Sequence, residues 1–194
     1  MQFGHQPLLQ GIASSSRLKI DEFQARSLSN LAWSFAVLQF RDSPLIAAIS
    51  EALLATGHIG PQAKSGEVLI GKSDASATRR HQGQAPRGAS FSPQRPSLLV
   101  TFAPSELAIF AWSFATLECM DVPLWHALAE ASMKRIASSE FEAQQLAITA
   151  WSFAALKLPH APLLACISAS SLSPIADFAP QNLANLSWAY AVLP

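Results

Sequence analysis

The sequence predicts an all-α protein, a stack of helical hairpins, on three observations: a recurring Trp-Ser-Phe-Ala block, a period of 37 to 39 residues, and a proline at a fixed distance after the tryptophan. A period of that length holds two helices and two short connections, and is too long for a heptad coiled coil. Half of the 194 residues are hydrophobic, which is enough apolar material to build a core.

Taken in order, Pro7-Leu8-Leu9 stands 16 residues before Phe23, as Pro162-Leu163-Leu164 stands 16 before Phe178. The chain is therefore expected to begin inside a second helix. The first complete block runs from Phe23 to Leu38 around Trp33, with Phe ten residues and Leu five residues before the tryptophan. Gap-free copies follow at Phe102–Leu117 around Trp112, Phe141–Leu156 around Trp151 and Phe178–Leu193 around Trp188, the last reading Trp-Ala-Tyr-Ala. Eleven residues after three of these tryptophans come Pro44, Pro123 and Pro162, each followed by Leu and an Ala-rich run, which predicts the partner helix. Asp42-Ser43 and Asp121 are placed to cap two of these. Pro104 and Pro180 mark the starts of two first helices.

Trp33 and Trp112 are 79 residues apart, about two periods, yet no Phe, Leu and Trp pattern lies between them. The stretch from His58 to Ser97, rich in Gly, Ser, Gln, Pro and Arg, reads as a disordered insertion, and a retained intron has the same appearance. The expected organisation is one partial and one full repeat over 1–57, the insertion over 58–97, and two full repeats plus a further first helix over 98–194. The expectation is a piece of a longer array.

Within a first helix such as that around Trp112, the shared positions Leu107, Ala111, Trp112, Phe114, Ala115 and Leu117 recur mostly three, four or seven apart, as in an apolar stripe. The small residues are expected to let helices approach closely, with Trp and Phe filling the space between hairpins. Stacking of bases on the tryptophans is the rival reading. Trp125 has no aromatic counterpart in the other second helices.

Enzyme readings find little support. The histidines, His5, His58, His81, His126 and His160, fall at no repeated place, so no metal site or cofactor is expected. Ser34, Ser113 and Ser152 recur without a His or Asp beside them and read as surface or back-bonding serines rather than nucleophiles. Cys119 and Cys166 form neither a zinc spacing nor a disulfide framework and read as small buried core residues. No signal, transit or membrane-spanning segment is visible. The net charge is zero. It divides into six basic and two acidic residues in the insertion and seven basic and eleven acidic residues elsewhere. Excess acid in the hairpins speaks against tight phosphate binding.

The block Phe-x-x-x-x-Leu-x-x-x-Ala-Trp-Ser-Phe-Ala-x-Leu, followed by Pro-Leu, resembles the octotricopeptide-type repeats of organellar RNA-binding proteins, including those ending in a RAP domain and the related FAST-kinase-like proteins. The resemblance covers the chain outside His58–Ser97, with Phe178–Trp188 the nearest copy. It implies a right-handed α-solenoid that binds single-stranded RNA, without catalysis, in a mitochondrion or chloroplast, supporting RNA processing, stability or translation. DNA is not expected. A RAP domain is absent. On this reading, bases meet the variable positions seven, six and three before Trp, on the face away from it. These are Arg26, Ser27 and Asn30; Ser105, Glu106 and Ile109; Gln144, Gln145 and Ile148; and Gln181, Asn182 and Asn185. The alternative for these positions is plain solvated helix surface, and the alternative for the chain is a protein-binding scaffold.

Overall fold

The computed structural model describes residues 5–54 and 98–193, and these are all-helical. The eight α-helices among them are α1 (Gln6–Leu18), α2 (Ala25–Val37), α3 (Ser43–Leu54), α4 (Pro104–Thr116), α5 (Val122–Ala137), α6 (Ala143–Ala155), α7 (Ala161–Leu172) and α8 (Pro180–Val192). Short 3₁₀ turns at Ile20–Glu22, Leu98–Thr101 and Ile175–Asp177 lead into α2, α4 and α8. The expected insertion, His58–Ser97, lies outside the described residues.

Helices α2, α4, α6 and α8 carry the tryptophan blocks, and each packs on the next; α1, α3, α5 and α7 form a second, looser row in the same order. Closer packing in the first row follows from its side chains. Ala111 and Ala150 are fully buried beside their tryptophans, and Ala32, Ala36, Ala115 and Ala154 are nearly so, so the backbones meet with little between them. Despite the 79-residue spacing, α2 packs directly on α4 and α3 on α5.

One continuous core runs between the rows. The leucines five before Trp in the first three blocks, Leu28, Leu107 and Leu146, are buried, as are Phe35, Phe114 and Phe153 two after it. Phe102 meets Phe110 edge-on, and Phe110 stacks on Phe114 with centroids 4.3 Å apart. Trp125 completes this core from the second row: its ring lies edge-on to Phe153 at 4.8 Å, and its Nε1–H donates to the Cys119 carbonyl at 2.8 Å. Cys119 and Cys166 pack against the core as expected but are only partly buried, and burial pushes the Cys119 thiol pKa above its usual value.

Helix starts are specified as the sequence suggests. Asp42 Oδ1 accepts from the Leu45 amide at 2.8 Å and Asp121 Oδ1 from Leu124 at 3.2 Å, while His160 Nδ1 does the same for Leu163 at the head of α7. Helix ends share a device with no residue-type signature. Gln39, Glu118, Ser139 and Lys157 all adopt left-handed backbone, with φ of 51° to 57°. The next amide in each case reaches back to close the helix, as Leu158 does to the Phe153 carbonyl at 2.9 Å. Phe40 adds the apolar contact of this motif, lying edge-on to Phe35. A non-glycine residue in this region costs roughly 1–2 kcal/mol, part of which glycine would return by loosening the unfolded chain. Lys157→Gly is therefore expected to raise stability by about 0.5–1 kcal/mol. Urea denaturation checks this, and a lowered midpoint would contradict it.

One exposed ion pair, Arg41 to Glu118 at 2.8 Å, joins the loop after α2 to the loop after α4. The hydrogen bond from Arg41 holds the Glu118 carboxyl below the usual carboxylate range. No described helix is long and apolar enough to cross a membrane.

Candidate functional site

In an α-helix each residue turns about 100°, so positions seven and three before a given residue lie on its own side, within about 60° of it. The residue two positions later lies about 160° away. Once Phe114 and Phe153 face the core, Trp112 and Trp151 must face out. Trp33 and Trp188 are 47% and 43% exposed and Trp112 and Trp151 are half-buried, whereas Phe114 and Phe153 are 1% exposed.

This corrects two expectations. The phenylalanines fill the space between hairpins, whereas the tryptophans are exposed or only partly buried, with Trp151 still packing against the core. The variable positions do not lie away from the tryptophans. Seven, three and zero form one stripe, and the stripes of successive helices meet in a single groove.

That groove, about 490 Å³, is built from first helices alone. Trp33 comes from α2, Ile109 and Trp112 from α4, Gln144, Ile148 and Trp151 from α6, and Gln181 and Asn185 from α8. Trp188 leans against Trp151 at its edge, with centroids 6.0 Å apart and planes 31° apart. Among the described residues, no lining side chain carries a charge. The lining is mostly aromatic and aliphatic, and besides the indole N–H groups its polar side-chain groups are three amides on α6 and α8, each offering a donor and an acceptor.

Of the residues expected to meet bases, Gln144, Gln181, Asn185, Ile109 and Ile148 line this groove. Arg26, Asn30 and Ser105 occupy equivalent positions, but they do not line it. The position six before Trp lies about a third of a turn from Trp, beyond the edge of the stripe. Ser27, Glu106, Gln145 and Asn182 accordingly stay outside the groove. Two of these four close helix turns instead. Glu106 Oε2 accepts from the Ala103 amide and Gln145 Oε1 from the Glu142 amide, each at 2.8 Å, completing the first turns of α4 and α6. Sequence reasoning placed Trp33, Trp112 and Trp151 in the core, with base stacking on them as the rival reading, although the spacing of seven, three and zero already puts them on the groove's stripe.

A scan against protein-family models gives no match, and neither does a search of the curated proteins.

The recurring serines sit behind the groove. Ser113 Oγ donates to the Ile109 carbonyl and Ser152 Oγ to the Ile148 carbonyl, each at 2.7 Å, with both residues buried; Ser34 does the same to Asn30 at 2.8 Å. These hydroxyls satisfy themselves on the preceding turn and have no base beside them among the described residues. Among the described residues no group of three His, Cys, Asp or Glu could hold a metal ion.

Proposed function

We propose that this chain is part of an α-solenoid that binds single-stranded RNA without catalysis or a cofactor, of the octotricopeptide type, acting on organellar transcripts. The observation that carries the reading is the row of tryptophans lining one groove with amide side chains. Exposed aromatic rings stack on unpaired bases of any kind, and neighbouring side chains that differ between repeats supply discrimination. Duplexes fit this arrangement poorly because their bases are not free to stack.

A protein-binding scaffold is the second reading, favoured by the uncharged lining and by the seven basic and eleven acidic residues outside 58–97. Fluorescence anisotropy of a mixed single-stranded RNA pool with the full chain, at low and physiological salt, separates the two. The RNA reading expects binding accompanied by quenching of tryptophan emission. Absence of binding even at low salt would move the assignment to the scaffold.

A further inference from the structure

The groove is not uniform along its length. Its α2–α4 end presents Trp33, Ile109 and Trp112, whose only polar side-chain atoms are indole N–H groups, whereas its α6–α8 end adds Gln144, Gln181 and Asn185 around Trp151. Resting on the RNA reading above, we propose that the α6–α8 end is an adenine-reading subsite, and that the α2–α4 end holds whatever base follows by stacking alone.

The base edges that this lining can satisfy decide the choice. Guanine is best met by Arg or Lys on O6 and N7, and cytosine by a carboxylate on its N4 amine; the described lining has none of these. Adenine offers a donor at N6 next to an acceptor at N7, which an Asn or Gln amide matches. A single amide also matches uracil, N3–H beside O4, and cytosine, N4–H beside N3. Of these three, adenine alone presents a donor beside an acceptor on two edges, N6 with N7 and N6 with N1, so amides from two helices can each make a two-point contact with it. Gln181 and Asn185, four residues apart on α8, share one face and reach the same space, with Gln144 contributed across it by α6. Trp151 supplies the surface on which the base lies. Because no described lining group neutralises phosphate, affinity comes from bases, and its dependence on salt is shallow.

The test uses the full chain with labelled oligoadenylate, oligouridylate, oligocytidylate and an abasic ribose-phosphate oligomer, read by anisotropy at low and physiological salt, with an oligoproline peptide as a non-nucleic probe of the tryptophans. Oligoadenylate is expected to bind about tenfold tighter than the other two base-bearing strands. The abasic strand is expected not to bind, and salt to weaken binding by less than about tenfold. The surface pair Gln181→Ala with Asn185→Ala, checked for unchanged helicity, should bring the three base-bearing strands to one affinity while tryptophan quenching persists. Equal binding of the three by the unaltered chain overturns the adenine subsite and leaves the RNA reading standing. Binding of the abasic strand, or a steep loss with salt, makes phosphate the ligand and overturns the subsite. Tryptophan quenching by oligoproline with no binding of any oligonucleotide overturns both.

Discussion

Phe153→Ala is expected to lower stability by about 3–5 kcal/mol, the cost of removing a buried phenyl ring that the surroundings cannot refill. The ring is 1% exposed, lies edge-on to Trp125 at 4.8 Å, and stands at the junction of α6 with the second row. Its neighbour Trp125 is held by the indole hydrogen bond to Cys119, so it is not free to swing into the space left behind. Against a total stability of about 5–15 kcal/mol, such a loss leaves the chain marginal. The measurement is a urea melt followed by far-ultraviolet circular dichroism. A loss under about 1 kcal/mol would mean that the core collapses around the site, or that Phe153 is not the anchor its burial makes it.

Trp112→Ala reverses the balance. The indole is half-buried, so its removal forfeits only part of the burial energy, about 1–2 kcal/mol of stability. Its loss from the groove should weaken RNA binding by about 1–3 kcal/mol, roughly five- to 150-fold, and by a similar factor for every base sequence, because stacking does not discriminate. Titration of the folded variant with the same RNA pool checks this. Unchanged affinity in a folded Trp112→Ala variant would remove the tryptophan row from the binding surface. The two residues stand in adjacent copies of one four-residue block, and the contrast between them tests whether Phe builds the stack while Trp faces its ligand.

Much of the fold is legible in the chain. The period, the proline-marked helix starts and the caps at Asp42 and Asp121 are local signals, and local chemistry satisfies them. The division of labour between the aromatics is legible as well, but only through angle. Tryptophan is large and apolar, and size suggests burial; its position on the helix, a near half-turn from Phe, decides otherwise. The positions expected to meet bases are half readable for the same reason. Seven and three before Trp share its stripe, whereas six before Trp lies off it, at the third position of its helix, from which Glu106 and Gln145 reach back to free amides. Two features leave no readable trace. Gln39, Glu118, Ser139 and Lys157 share a left-handed backbone but no residue type, so nothing announces it. Trp125 breaks the repeat, and its place becomes clear only when the Phe153 ring and the Cys119 carbonyl close around it.

The direct packing of α2 on α4 has a consequence for how this array can change. Leu54 closes α3, and the turn at Leu98–Thr101 rests against α3, so the described residues on either side of 55–97 are both anchored on one helix. The entropic cost of connecting two anchored points rises only slowly with the length of chain between them, by roughly 0.6 kcal/mol for each doubling. The junction between α3 and α4 is thus a tolerant gate for sequence. A change of length there is expected to leave the faces of α2 and α4, and the row of rings they share, in register.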